Sequence, residues 1–386
     1  MIMATKKDIF QEHLPAYLRA DKQAKGEILK HVCFVTGMHI KSAVRKFRRL
    51  QMNNPFKPEG RGRSEYYTPD VTVALKEVWQ AGNEVCGELL HPMIREYVTI
   101  LKRDQMWTHA DDATAKLLVM SQATVRRRVS KFKQTRRNKK GICVTKPSHI
   151  KHLVPIFIGP WDGKPPGFGQ IDTVKHSHSA SGDAVYTLNY ADAATVTTVP
   201  RAQWNKGQVA TRDSMRQIKT ILPFPWLGAH PDTGSEFLNR MVMKWCQEEN
   251  IELSRSRPSH KNDNMYVEER NGHVIRKTVG YITLDCPEAV GALNALYDVL
   301  TPYLLHFVAV RRMIQKERLN SKYKRTYEKT PKTPYQRILE HPQVLLKTKQ
   351  RLTLEHAKLN PLILKRQIDL KLKNLYDTQT RYGNRR

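Results

Sequence analysis

Between Gly167 and Val199 the chain reads GFGQIDTVKH and then AVYTLNYADAATVTTV, rich in Val, Thr and Tyr. No other stretch narrows the fold so far, because β-branched and aromatic residues at this density favour extended strands. Beyond Val199 helices and strands alternate. NKGQVATRDSMRQIKTIL (205–222) reads as a helix and FPWLGAHPD (224–232) as a short strand. Beyond Ser235, the expected N-cap, Phe237, Leu238, Met241, Val242, Trp245 and Cys246 form the apolar stripe of another helix. IELSRS (251–256) is a further short strand, and a long helix begins near Asn264. Strands followed by strand–helix alternation predict an α/β layered domain over about 160–315.

The preceding residues have helical periodicity. Ile28, Leu29, Val32 and Cys33 mark one helix, Gly37 breaks it, and Ile40, Ala43, Val44 and Phe47 mark the next. Two short helices around a glycine predict a helix-turn-helix within 1–60. Lys41, Arg45, Lys46, Arg48 and Arg49 lie mostly off the apolar face, which suits either a helix against phosphates or a solvated basic face. PEGRGRSEY (58–66) reads as a linker, and a helical stretch runs from about Asp70 to Lys102. Within 61–150 a second helix-turn-helix candidate spans 110–133. Ser121 is its cap, Val125, Val129 and Phe132 its apolar face, and Arg126, Arg127, Arg128, Lys131 and Lys133 its basic surface. Basic residues continue through Arg136, Arg137, Lys139 and Lys140, as a solvated tether or a track along DNA.

The formal net charge of +30 makes nucleic acid the expected partner. Residues 311–386 hold 21 Lys and Arg against 6 Asp and Glu, a basic C-terminal extension (316–386). Within it YKRTYEKTPKTPYQRIL reads as an extended link and the stretch after Pro361 as helical. Five scattered cysteines fit neither a disulfide framework nor a zinc ribbon, and a reducing cytoplasm, at the nucleoid, is the expected location. The longest apolar run, near Tyr303–Val310, is too short to span a bilayer, so no membrane is expected.

Three carboxylates stand out. Asp172 sits in the otherwise uncharged strand FGQIDTV, where burial is costly without a partner or cation. Asp232 follows a short strand, where α/β proteins place their sites. Glu268 lies on the last helix, about 100° from Val267 at the edge of the apolar face, whereas Glu269 is about 200° away, towards solvent. Such oxygen ligands suit Mg²⁺ or Mn²⁺, and two ions would support in-line phosphodiester displacement.

The wording around these residues resembles the catalytic core of retroviral-type integrases and related bacterial insertion-sequence transposases (DDE type). His230, Asp232, Gly234, Glu236 and Phe237 match the phrase H-x-D-x-G-x-E-F. Ser256, Arg257 and Pro258 match S-R-P, and Asp263, Asn264, Val267 and Glu268 match D-N-x-x-V-E. Thirty-five residues separate Asp232 from Glu268, as in that family. KTPYQRIL (332–339) resembles a phrase near the end of some such transposases. Thr233 departs from the frequent Asn, and no His-His-Cys-Cys zinc module precedes the core. The resemblance implies a ribonuclease H-like domain, a mixed sheet flanked by helices, in which Asp172, Asp232 and Glu268 are catalytic and bind two Mg²⁺ or Mn²⁺ ions. It further implies cleavage at element ends, joining to target DNA, and a homo-oligomer on DNA. A DNA-binding regulator without catalysis is the alternative. His230 is expected to make a structural hydrogen bond. Asp183, Asp192, Asp213 and Asp263 are read as turn, surface or strand-end carboxylates, and His176 and His178 as no zinc pair. Lys261, Asn264, Asn271 and Arg276 flank Glu268 as DNA contacts or as solvated or capping residues.

Overall fold

The computed structural model describes residues 3–52, 66–132, 153–159, 161, 163–178, 182–257, 263–319 and 322–384. Most of the linker (58–65), the basic run 133–140, Pro258 and Lys261 lie outside the described residues. The chain forms two compact units, Met1–Tyr66 and Tyr67–Arg386.

In the first unit α1 (Met3–Arg19), α2 (Lys22–Thr36) and α3 (Ile40–Met52) enclose Phe10, Leu29, Val32, Ala43 and Phe47. Asp21 caps α2, its Oδ1 accepting from the Ala24 amide at 2.8 Å. Gly37 ends α2 at φ +64°, a conformation that favours glycine. Ile40 and Val44 are exposed, against expectation, because α1 covers only the Ala43 and Phe47 side of α3.

The second unit opens with α4 (Pro69–Ala81), α5 (Gly87–Leu90), a 3₁₀ turn, α6 (Ile94–Arg103), α7 (Asp111–Leu118) and α8 (Gln122–Phe132). Ser121 precedes α8, with its Oγ 3.4 Å from the Thr124 amide, and Val125 and Val129 are buried. A five-stranded sheet comes next, built from β1 (Phe168–Lys175), β2 (Val185–Asp192), β3 (Thr198–Trp204), β4 (Gly228–His230) and β5 (Glu252–Leu253). Its spatial order is β3-β2-β1-β4-β5. The first three strands are antiparallel, and β4 and β5 are parallel to β1. Helix α9 (Gln208–Ile221) precedes β4, and α10 (Arg240–Glu248) lies between β4 and β5.

Alternation along the strands sends side chains to two cores. Ile171, Leu188, Tyr190 and Val199 meet Met215 and Ile218 of α9 and Val242 and Trp245 of α10. Val174, Val185 and Ala202 meet Leu293, Leu296 and Leu300 of α13 (Glu288–Phe307). Each fully buried Leu or Val adds about 1.5–3 kcal/mol to the stability of this layering. A mixed five-stranded sheet with helices on both faces is consistent with a ribonuclease H-like fold.

The glutamate helix is segmented into α11 (Met265–Arg270), a π turn (Asn271–Arg276) and α12 (Lys277–Val279). After α13 come a hairpin, β6 (Met313–Leu319) with β7 (Lys322–Tyr327), then α14 (Pro334–Glu340), α15 (Leu346–Lys358) and α16 (Pro361–Tyr382). The segment read as an extended link therefore holds a strand and a capped helix. Thr333 Oγ1 accepts from the Gln336 amide at 3.2 Å, while Gln336 Oε1 accepts from the Thr333 amide at 2.9 Å. The helix after Pro361 packs along α13, and Leu362, Leu364, Ile368 and Leu375 share a core with α13 and with α4 and α6. Among the described residues no helix is long and apolar enough to cross a membrane.

Candidate active site

Strand β4 pairs with β1 only as far as His230 opposite Gln170. Asp172 stands two residues further along β1, which runs on to Lys175, and Asp232 stands two residues beyond the end of β4, so the two carboxylates lie at the same level. The shorter β4 opens the sheet beside β1 at its carboxyl end, where α/β sheets place a crevice. Asp172 Oδ1 accepts from the Thr173 amide and Asp232 Oδ1 from the Gly234 amide, each at 2.8 Å.

Gln170 fastens the glutamate helix over this edge. Its Oε1 accepts from the Tyr266 and Val267 amides at 2.9 and 3.2 Å, and its Nε2 donates to the Asp263 carbonyl at 2.8 Å. One buried amide thus satisfies donors that a helix start leaves open. A second clamp links two of the recognised phrases. Arg257 donates to Asp263 from its amide, Nε and Nη2, at 2.9–3.0 Å. Further along the helix, Asn271 Nδ2 donates to Asp172 Oδ2 at 2.8 Å, and Asn271 Oδ1 accepts from Asn189 Nδ2 at 2.9 Å. Asn271, left open between DNA contact and capping, therefore holds Asp172. It opens the π turn, a feature frequent at functional sites.

Glu268 is exposed, and its charge is felt at Asp172. The expected contrast with Glu269 reverses. Glu269 is half-buried because it pairs with the buried Arg270 at 3.0 Å. A fourth carboxylate, Glu236, is buried against Thr173 and Lys206, with Oε1 at 3.3 Å from Thr173 Oγ1 and 3.5 Å from Lys206 Nζ. The recognised phrase contains Glu236, but sequence reasoning assigned it no role. Its position four residues after Asp232 was the available signal. Gln170 was missed too, although it lies on the same strand face as Asp172.

Burial, together with the charges of Asp232, Glu236 and Glu268, pushes the Asp172 carboxyl up to about 8. Burial and Glu236 also raise Asp232. Carboxylates that oppose each other's ionisation suit a cation between them. Among the described residues, however, no three such side chains stand close enough together to hold one ion. The donor chemistry of these carboxylates, with a Glu236 Oε2 that has no hydrogen-bond partner among the described residues, fits a hard divalent ion.

His230 makes the structural bond expected of it, Nδ1 to Ser254 Oγ at 2.9 Å, and burial lowers its pKa to about 4. His176 is buried against Thr187 Oγ1 at 2.7 Å. Of the basic residues read as DNA contacts, Lys41, Arg45, Arg48, Arg126 and Arg127 are exposed. Arg128 instead turns inward. Its guanidinium binds the Tyr67 carbonyl at 3.0 Å and the Thr72 hydroxyl and lies over the Tyr67 ring, because α4 packs beside α8. Asn264 is buried at the start of α11.

The sheet, its carboxylate edge and the helix laid over that edge define a mixed α/β protein, consistent with a ribonuclease H-like fold. No family model matches the chain. A Sinorhizobium fredii protein, "Uncharacterized protein y4rM", is 32% identical over 329 residues, covering 84% of this chain and 93% of that protein. The chain belongs to the family of that protein. Among solved structures, the catalytic core domain of BIV integrase aligns with 29% of this chain and 68% of its own at 12% identity and a TM-score of 0.25. The HTLV-2 integrase catalytic core domain in complex with magnesium aligns with 38% of this chain and 90% of its own, at 15% identity and a TM-score of 0.29. Likenesses this partial say nothing of what this chain does.

Proposed function

We propose that this protein is a DNA transposase/integrase, a DDE-type polynucleotidyl transferase that cuts at the ends of a mobile element and joins them to target DNA. The observation that carries the reading is the level placement of Asp172 and Asp232 on adjoining parallel strands, with the Glu268 helix fastened across them by Gln170 and Asn271. Bound Mg²⁺ or Mn²⁺ ions would supply activation of the attacking oxygen and stabilisation of the leaving oxygen. Asp172, Asp232 and Glu268 would hold them. Asn271 fixes the Asp172 carboxylate, and Gln170 sets how far Glu268 reaches.

Lys41, Arg45 and Arg48 in the first unit, and Arg126 and Arg127 in the second, supply phosphate contacts in helix-turn-helix modules. Lys261 and Asn264 belong to the DNA-facing rim in this reading. The domains run 1–60, 61–150, 160–315 and 316–386, and a homo-oligomer on DNA brings two element ends together.

The test uses oligonucleotides from the DNA flanking the coding region, incubated with the protein and Mn²⁺. Metal-dependent nicking and joining that Asp172→Asn abolishes, with DNA binding retained, supports the reading. Full activity in Asp172→Asn overturns it. The absence of a preassembled trio among the described residues favours a second reading, a DNA-binding regulator without catalysis. That reading predicts binding with no nick at any Mn²⁺ concentration.

A further inference from the structure

A buried carboxylate stands beside the half-buried Asp172 and Asp232, and the reaction proposed above leaves it without a task. The Glu236 side chain is 2% exposed. Thr173 and Lys206 engage its Oε1, but its Oε2 has no hydrogen-bond partner among the described residues. A buried carboxylate oxygen without a donor is costly and persists only where something compensates it.

Gly234 shows where that oxygen faces. The point a Cβ would occupy there lies 2.6 Å from Glu236 Oε2 and 2.9 Å from Asp232 Oδ1. The two oxygens border one small space, and glycine keeps protein atoms out of it. Any larger residue would push a methyl group between them. Two carboxylate oxygens facing one another across such a space repel unless a positive charge enters. Lys206 offsets part of this charge from the Oε1 side of Glu236 and leaves the space between the two oxygens open.

We propose that Glu236 is a fourth carboxylate of the divalent-cation site, sharing with Asp232 the first ion to bind, before the exposed Glu268 joins from its helix. Lys206 acts in the metal-free protein as a counter-charge that steadies Glu236 and opposes entry of the ion. This rests on the metal-dependent reading above.

Mn²⁺ titration of the full chain, read by loss of the free-ion electron paramagnetic resonance signal, tests it without any DNA or activity. Glu236→Gln is expected to raise the first-ion Kd by about tenfold or more. Glu268→Gln is expected to leave that first Kd nearly unchanged. Lys206→Gln is expected to tighten binding several-fold, the opposite sign, and that gain should vanish in the Glu236→Gln background, which a charge effect on Asp232 alone would not produce. Should Glu236→Gln not fold, as judged by circular dichroism, Lys206→Gln and Glu236→Asp carry the test, the latter keeping the charge but losing reach and so weakening binding. Wild-type affinity in Glu236→Gln, or in Lys206→Gln where only that variant folds, overturns the inference and leaves the functional reading intact. No Mn²⁺ bound by the wild-type chain overturns both.

Discussion

Asp172 and Asp192 are both carboxylates close to the central strands, both are shifted upward by burial, and their surroundings give them opposite uses. Asp192 is fully buried and has donors on every side. Gly167 N and Tyr190 Oη approach Oδ2 at 2.8 and 3.2 Å, and Thr195 N and Oγ1 approach Oδ1 at 2.7 Å. Among the described residues, Asp172 has one donor on each oxygen and three other acids whose charges reach it. A buried carboxylate surrounded by donors is structural, whereas one surrounded by other acids is a site awaiting a cation.

The widest separation should come from asparagine at each position. Asp172→Asn should cut Mn²⁺-dependent nicking by about a thousandfold or more while leaving the fold intact. Asp192→Asn should retain metal binding but lose about 2–3 kcal/mol of stability, because its amide nitrogen cannot accept from the donors that remain. Urea denaturation beside the nicking assay checks both. If the two variants behave alike, the contrast fails.

Next in size is Gln170→Ala. It frees the start of α11, and loosening the reach of Glu268 should lower turnover by about tenfold to a hundredfold. Mn²⁺ affinity should change little, since Asp172 and Asp232 stay where the sheet puts them. Equal losses in both readouts would mean that Gln170 supports the whole site and not the helix alone.

Heat stability across pH sharpens the electrostatic half of the comparison. The carboxyl of Asp172 is raised to about 8 in the metal-free fold, against 3.8 as its ordinary value. Between those values the folded chain binds more protons than the unfolded chain, so stability present at low pH is lost as pH rises through about 8. The Tm of the metal-free protein should fall across that window. Asp172→Asn should flatten the fall, and Mn²⁺ should restore the Tm of wild type only. A Tm that rises with pH across the window would show that Asp172 is already compensated.

The smallest effect concerns how the chain reaches the site after Asp232. Asn239, not the expected Ser235, caps α10, its Oδ1 accepting from the Val242 amide at 2.9 Å. Asn239→Ala should cost about 1 kcal/mol and Ser235→Ala about half that or less, as thermal melts would resolve.

These contrasts also mark how far the residues spoke for themselves. Asp172 was legible because an uncharged β-rich strand gives an acid no ordinary reason to be there. Asp232 was legible from its strand end, and Glu268 from its helix and from the family wording. Two neighbours of the site, Glu236 and Gln170, were not legible, because their roles depend on partners distant in the chain. Lys206 arrives from the turn before α9, and the Tyr266 and Val267 amides from a helix 96 residues or more away. The cap shifted for a related reason. The residues after Asp232 fold back on the site, so that Gly234 and Glu236 occupy positions a helical period would have used. Nor does a 3.6-residue period reveal a π turn, and Glu269 gained its half-buried place by pairing with Arg270. In the first unit the two helices around Gly37 followed from periodicity, while the exposure of Ile40 and Val44 depended on where α1 packs.

The central claim is a divalent cation held between the middle of β1 and the carboxyl end of β4, and anomalous diffraction from crystals soaked in Mn²⁺ measures it most directly. A Mn²⁺ peak is expected between Asp172 and Asp232 and should disappear in Asp172→Asn. A fully soaked crystal with no peak there, or with its peak on another part of the surface, would contradict it.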